Sequence, residues 1–478
     1  MIFTIEDILL AVPGSCLIQG EIYEVKHLAC HTDEIRQGES IFAAVRGGGD
    51  WYEKPFDHHR HINRAIENGA QGLLVERYDE ALKILNKNIL IIKVPNVIYA
   101  LGLLTSYLIK KNRIQVTAVT GSTGKTTACE IIATVLQEEY QTIKFISDRA
   151  TPISVPRTLL NSGLEQYQKL VTEMPMDGLG QIKKLCEITP PNIGIVININ
   201  NSHIEQLETI ENIVEAKAEL LKALPNKGTA VLNYDDEKVK SMSKFTNANV
   251  LGVGLAKNVG VRASNVNLSM AGVSFDLSYH SETVSTKISV PLSSVITSAL
   301  LGAGAGIVAD MPLESISRGI ANFKSLPGRM ELLRGKENFW LLDDSRLATP
   351  ESTKFLIHEL LKIDIRPNKK ILVEGAVLRP EQHGVLDERT LQAISVLDAV
   401  YFVGSGTIGY YETLRVIGRN DIYWAESHEE AAQGILALAQ PNDFVAVNGS
   451  ENAEMSKIIP LLIDRDQTSR TINEVKKN

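Results

Sequence analysis

The sequence predicts an α/β protein of three domains, and three observations carry that reading. The chain has 478 residues, against roughly 150 for an ordinary domain. Near residue 120 a strand rich in β-branched residues runs into a glycine loop and then a helix, the opening of a parallel α/β unit. A second series of short apolar strands follows from about residue 326, at 339–342, 370–373, 399–403 and 444–447.

Composition narrows the class. Hydrophobic residues are 44% and charged residues 22%, enough apolar material for several cores, so global disorder is excluded. The formal net charge of -8 excludes a broad basic surface for nucleic acid but leaves room for a local anion pocket. The four cysteines, Cys16, Cys30, Cys129 and Cys186, form no CxxC pair and point to a reducing compartment. The N-terminus carries Glu6 and Asp7 and no early Lys or Arg, the wrong charge for a signal or transit peptide. The longest uncharged stretch, 290–309, holds Pro291 and three glycines and reads as a buried helix of small residues. The expectation is a cytoplasmic monomer acting on small molecules, with no nucleic-acid partner and no membrane insertion.

The elements fall in order. Residues 1–112 mix short strands and helices, with a helix over 62–69 and a buried strand over 72–75. The cluster Lys110, Lys111, Asn112, Arg113 reads as a linker. A strand over 114–120 and a helix over 126–138 flank the glycine loop, and strands at 193–199 and 229–232 enclose a helix over 210–223. Residues 260–290 alternate like antiparallel strands. Domain divisions are expected at 1–112, 113–325 and 326–478.

The loop at 120–127 reads TGSTGKTT. Gly121 and Gly124 let backbone wrap a phosphate, and the amides of a helix N-terminus then face the anion. Lys125 can reach β- and γ-phosphates, and the Thr126 hydroxyl can ligate Mg²⁺. Gly121, Ser122, Thr123, Gly124, Lys125, Thr126 and Thr127 are the expected nucleotide contacts. The spacing GxxGKT is shorter than the usual GxxxxGK[ST], and the plain alternative is a glycine turn with a surface lysine. With no NKxD motif to read guanine, ATP is the expected nucleotide.

Taken with TEMPMDGLGQI (172–182), NINNSHIEQL (198–207), ENIVEAKAELL (211–221), GTAVLNYDDE (228–237), LPGRMELL (326–333) and DDSRLATPES (343–352), this loop resembles the Mur ligases in motif order. These are ATP-dependent amide ligases of peptidoglycan precursor assembly, and the nearest branch joins D-alanyl-D-alanine to UDP-N-acetylmuramoyl-tripeptide. The resemblance runs from about residue 38 to the end. It implies an N-terminal substrate domain, a central P-loop domain and a C-terminal Rossmann-like domain. It implies ATP-driven activation of a carboxylate as an acyl phosphate, which an amine then attacks. Thr126 and Glu173 match Mg²⁺ ligands, and His203 a ligand or organiser of a second Mg²⁺. Lys217 matches a lysine carbamylated by CO₂, which turns a cation into a carboxylate-like ligand. Arg329 matches the arginine entering the C-terminal domain, and Asp344 an acid that approaches the nucleotide. Taken singly, Glu173 would be a surface carboxylate, His203 a loop histidine, and Lys217, between Glu215 and Glu219, part of a solvated helix face.

The sequence also departs from the branch. Its first-domain DSR element reads HTDEIRQGE (31–39), and the asparagine pair after the loop is absent from RATPISVPRTLL (149–160). HNxxNA reads SSVITSA (293–299), placing Ser293 and Thr297 where His and Asn stand. DDSYNANP reads DDSRLATP, with Leu347 and Thr349 for the asparagines and Arg346 where another branch keeps a phosphate-facing lysine. KGSRGM reads NGSENA (448–453) and loses both basic residues, Glu451 standing for the arginine. The changes cluster in substrate and adenine contacts, so an amide ligase acting on a non-standard carboxylate and amine is expected, against the alternative of a genuine cell-wall ligase.

Two other patterns compete. Gly404, Gly406 and Gly409 spell GxGxxG after a strand, with Glu426 about twenty residues on, a dinucleotide fingerprint that would suit an NAD(P)-dependent oxidoreductase. A non-enzymatic nucleotide-binding regulator is the third class. His58, His59 and His61 sit together, but their spacing sends them to different helix faces and argues against zinc.

Overall fold

The computed structural model describes residues 2–20, 24–48, 51–52, 54–77, 89–147, 149–200, 204–346, 348–364, 368–377 and 386–464. Three principal sheets organise the chain, and the α/β class read from the sequence holds. The first sheet comprises β1 (Cys16–Gln19), β2 (His27–Ala29), β3 (Ser40–Ala43), β4 (Gly72–Val75) and β5 (Leu90–Lys93) in the order β1-β5-β4-β3-β2. β1 is antiparallel to β5 and the other pairings are parallel. All four residues of β4 are buried, as a parallel strand covered on both faces requires.

The predicted linker is not one. Lys110 and Lys111 end helix α1 (Val97–Lys111), whose buried side carries Leu101, Leu104 and Leu108. Lys111 Nζ donates to Asp7 Oδ1 at 2.7 Å, and only a short turn through Arg113 (φ 55°) separates the helix from the next strand. Charge density at a helix C-terminus, which favours cations, produced the linker-like signature.

The second sheet has a parallel portion with strands β6 (Gln115–Thr120), β7 (Thr142–Phe145), β8 (Lys169–Glu173), β9 (Ile193–Val196), β10 (Thr229–Asn233) and β11 (Asn249–Gly254) in the order β7-β8-β6-β9-β10-β11. β6 therefore lies between β8 and β9, and whatever follows it meets the carboxyl ends of both neighbours. The first two sheets belong to one compact unit.

A second unit holds the antiparallel strands β12 (Val261–Ser269), β13 (Gly272–Tyr279) and β14 (Glu282–Ile288), which realise the alternation read at 260–290. It also holds the third sheet: β15 (Glu331–Arg334), β16 (Trp340–Asp344), β17 (Lys370–Glu374), β18 (Ala399–Val403), β19 (Ile422–Ala425) and β20 (Phe444–Asn448). Its order is β15-β16-β20-β17-β18-β19, antiparallel only at β15–β16. A core of Phe339, Leu341, Ile371, Val373, Val445 and Val447 lies on this sheet. The uncharged stretch becomes the helix Val295–Val308, and among the described residues no helix is long and apolar enough to cross a membrane.

Candidate functional site

The loop after β6 is shaped by two glycines. A Cβ on Gly121 would lie 2.9 Å from Ile197 Cβ, so the loop can lie against the end of β9 only without a side chain. Gly124 sits at φ 79°, the left-handed region that L side chains rarely adopt, with open space where a Cβ would point. Helix α2 (Lys125–Gln137) starts directly afterwards with no side-chain cap. Its first-turn amides are the orphan donors that every helix start leaves, and here they border the open side of a glycine loop.

Asn198, just past β9, holds the loop from behind. Its Oδ1 accepts from Ser122 N and Thr123 N, both at 3.0 Å, and its Nδ2 donates to Thr123 O at 3.1 Å. Asn198 opens the segment NINNSHIEQL (198–207), and the sequence alone assigns it no role. Its signal was an asparagine directly after a buried apolar strand, where a side-chain amide can bond backbone both ways.

Cations and acids converge on the same loop. Lys125 Nζ donates to Gly121 O at 3.1 Å, and Lys217 Nζ donates to that same oxygen at 3.1 Å. Glu173 ends β8 in register with Val119 of β6 and is buried, with Thr126 Oγ1 donating to its Oε2 at 3.2 Å. Lys217 is 1% exposed on helix α3 (Ile210–Lys222), on the face it shares with Ile213, Leu220 and Leu221. The solvated-face alternative for Lys217 is thus overturned. Its i+4 spacing from Ile213 places it on the apolar stripe, and Glu215 and Glu219 do not share that burial. Burial first, and the Lys125 charge second, hold the Lys217 amine well below the ordinary lysine range.

Thr126 and Glu173 supply hard oxygen donors of the type Mg²⁺ takes, next to an open amide cradle, so these residues fit a magnesium–nucleotide complex. His203 lies outside the described residues, as does Leu347.

Arg329, Asp344 and Arg346 belong to the second unit. Burial pushes the Asp344 carboxyl up to about 7, the Arg329 charge opposing and Asp343 adding to the rise. Arg346 is exposed, and its Nε donates to Glu451 Oε1 at 3.1 Å. Ser293 Oγ donates to both Glu359 oxygens, at 3.1 and 3.0 Å, and Ser294 N donates to Glu359 Oε2 at 2.9 Å. Burial would raise the Glu359 carboxyl, but the Lys362 ammonium and these donors outweigh it and hold it below the usual range. Thr349 caps the helix Pro350–Lys362, reciprocally bonded with Ser352.

The competing patterns look different in three dimensions. The histidines form a short 3₁₀ turn, His58–His61. His58 Nδ1 bonds Cys30 O at 2.8 Å and His59 Nδ1 bonds Asp57 Oδ1 at 2.7 Å. Among the described residues no group of three or more His, Cys, Asp or Glu is arranged to hold a metal. The glycine fingerprint does follow β18, with Gly404 at φ 80° and a helix from Ile408.

Known proteins share this geometry and sequence in part. Residues 119–305 match the Mur ligase middle domain. The chain is 29% identical over 336 residues to UDP-N-acetylmuramoyl-tripeptide–D-alanyl-D-alanine ligase of Buchnera aphidicola subsp. Baizongia pistaciae, covering 70% of this chain and 71% of that protein. It is 27% identical over 360 residues to the Escherichia coli ligase of that name, covering 75% and 76%. MurF ligase from Thermotoga maritima, solved in complex with ADP, superposes with a TM-score of 0.76 at 23% identity, covering 95% of this chain and 98% of that one. Over residues 119–305 the chain thus matches the middle domain of the Mur ligases, and over about three quarters of its length it is similar to ligases of that kind.

Proposed function

We propose that the protein is an ATP- and Mg²⁺-dependent ligase that joins a carboxylate to an amine through an acyl phosphate. The observation that carries this reading is the convergence of Lys125, Lys217, Thr126 and Glu173 on one glycine loop below an uncapped helix start. In the first step a carboxylate oxygen attacks the γ-phosphorus, the bond to the bridging oxygen breaks, and ADP leaves. In the second the amine lone pair attacks the acyl carbon. Phosphate departs with the C–O electron pair, and the nitrogen loses one proton to solvent. Such transfers are governed by positioning and charge stabilisation.

Lys125 and the amides of residues 121–127 would hold the β- and γ-phosphates. Thr126, Glu173, His203 and Lys217 would hold magnesium, which supplies neutralisation of phosphate charge. Arg329, Asp344 and Arg346 would meet the nucleotide from the C-terminal domain, with domain boundaries at 112 and 325. A buried ammonium cannot ligate a cation, but a neutral amine can attack CO₂ and lose a proton to give a carbamate. The depressed basicity of Lys217 supports that modification. Lys217→Ala is expected to be inactive and partly rescued by a short carboxylic acid; a free amine detected in active, metal-loaded enzyme overturns the carbamate.

The carboxylate substrate is proposed to differ from UDP-N-acetylmuramoyl-tripeptide. A cleft of about 800 Å³ in the first unit is lined by Trp51, Tyr52 and Phe56 together with Arg46, Arg60 and Lys184, and suits an anion with a flat or apolar part. The Ser-Arg pair of the branch is absent from 31–39, and losing partners for a buried nucleotide costs on the order of 1–3 kcal/mol each. The second reading, a cell-wall ligase adding D-alanyl-D-alanine, is favoured by the names of both relatives above. A phosphate-release assay across UDP-muramyl peptides and other peptidyl acids separates them. Micromolar KM for the muramyl tripeptide with robust D-alanyl-D-alanine addition overturns the first; no binding of that nucleotide sugar with intact Mg·ATP binding overturns the second. The protein is proposed to act as a cytoplasmic monomer.

A further inference from the structure

The carboxyl edge of the third sheet carries a polar cluster whose ligand the steps above leave open. Asp344 ends β16, Asn448 ends β20 and Glu374 ends β17; in register Asp344 faces Asn448 and Asn448 faces Glu374. After β17 the chain proceeds to β18 and β19 on one side of the sheet. After β20 it heads the other way, where Ile463 bridges to Gly335 beside β15. Neighbouring strands whose continuations diverge open a crevice at their carboxyl ends, the usual ligand position in an open α/β sheet.

Glu374 and Asn448 are fully buried there. Asn448 Nδ2 donates to the Glu374 oxygens at 3.0 and 2.8 Å and lies 2.8 Å from Thr353 Oγ1. Its own Oδ1 is buried without a hydrogen-bond partner among the described residues, an arrangement folded proteins avoid unless something else supplies the donor. Burial pushes Glu374 up to about 8, the Asn448 bonds opposing and Asp344 adding to the rise. Asp344 is only half-buried and so can be reached. The rim cation Arg346 is paired with Glu451, leaving Arg329 as the positive charge that acts on Asp344. Two carboxyls and an orphan amide oxygen thus share this edge with a single guanidinium, which acts on Asp344. The chemistry that satisfies them is a compact group with several N–H donors and a positive charge, which is an ammonium.

We infer that this edge binds an ammonium, and that the amine substrate is a basic amine whose cationic nitrogen is separate from the nitrogen that attacks. The attacking nitrogen must carry a free lone pair, and a nitrogen held between Asp344 and Glu374 keeps its proton, so two nitrogens are required. The word substrate rests on the ligase reading; ammonium binding does not. The test is calorimetric titration of the full-length protein, without nucleotide, with 1,4-diaminobutane and with D-alanyl-D-alanine. The diamine is expected to bind at least about tenfold tighter than the dipeptide, whose free carboxylate is repelled. Glu374→Gln and Asp344→Asn are each expected to weaken the diamine at least about tenfold, the scale for losing a hydrogen bond to a charged group. Glu374→Gln copies the protonated side chain in shape, and Asp344→Asn sits at the accessible end, so one survives if the other misfolds. No saturable diamine binding, equal affinity in both variants, or tighter dipeptide binding overturns the inference. Robust ligation without diamine binding sinks this inference alone, and diamine binding with no ligation of any acid sinks the ligase reading alone.

Discussion

The glycine loop after β6 and the carboxyl edge around β20 are the same structural device with opposite hydrogen-bonding character. Each lies where a central parallel strand ends between two neighbours. At the first, Lys125 and Lys217 both reach Gly121 O and a helix begins without a cap, so the surplus is of donors and positive charge. At the second, Asp344, Glu374 and the Asn448 oxygen leave a surplus of acceptors. Fold fixes where a ligand sits, and a handful of side chains fix its sign. The loop keeps the motif residues of the Mur ligases it resembles, whereas the acceptor-rich edge lies beside NGSENA (448–453), where the sequence departs from that resemblance.

The comparison breaks most sharply at Lys125. Lys125→Ala removes the flexible cation of the loop while leaving the Asn198 scaffold in place, so phosphate release is expected to fall at least about a hundredfold, the scale for losing one preorganised charge contact. Near-normal turnover would show that the loop does not handle ATP. Asn198 should matter less, because it acts through the backbone. Asn198→Ala leaves Ser122 N and Thr123 N without that acceptor and is expected to weaken nucleotide binding about tenfold and cost about 1–3 kcal/mol of stability. Asn198→Asp keeps the acceptor but loses the donor to Thr123 O and adds a negative charge, so its melting midpoint should fall less than that of Asn198→Ala while its nucleotide affinity drops further. Equal loss in both measurements for both variants would contradict a positioning role.

What the sequence made legible differs between the two regions for a physical reason. The loop was readable because its chemistry is local: glycines, lysine and threonine within eight positions, preceded by a strand and followed by a helix. The parallel series and the antiparallel run at 260–290 were readable from periodicity. The acid cluster was not, because Asp344, Glu374 and Asn448 are brought together only by a strand order in which β20 inserts between β16 and β17. Lys217 stood between. Its burial was written in the apolar stripe of its own helix, while its meeting with Gly121 O needed the tertiary fold. Ser293 shows a substitution whose structural use was hidden: its hydroxyl is bonded to Glu359, some sixty residues onward.

Proton linkage sharpens the acidic side. Glu374 is pushed from 4.5 in the unfolded chain to about 8 in the folded one. Between those values the folded state binds more protons than the unfolded state, so stability falls as pH rises from about 4.5 to about 8 and is level outside that window. Glu374→Gln cannot ionise and escapes this loss. Relative to the parent its melting midpoint should rise by at least about 2 °C between pH 5 and pH 8, the shift that about 1 kcal/mol gives a unit of this size. A difference that stays constant across that range would mean that Glu374 titrates normally.

The smallest expected effect decides whether a family departure at the same edge concerns ligand or scaffold. Thr349 stands where the branch carries an asparagine, which by itself suggests a lost substrate contact. In the structure its hydroxyl accepts from Ser352 N at 3.3 Å and its own amide donates to Ser352 Oγ at 2.8 Å, with Pro350 opening the helix. That is a helix start satisfied from both sides, and threonine and asparagine both serve at such a position. Thr349→Ala should therefore cost about 1 kcal/mol of stability, while Thr349→Asn should match the parent within a few tenths of that amount. Neither should change KM for the amine by more than about twofold, since a surface substitution away from the ligand has little to act on. If Thr349→Asn instead restored use of D-alanyl-D-alanine, the side chain would belong to the ligand. The acceptor-rich edge would then extend past Asp344 into the helix cap.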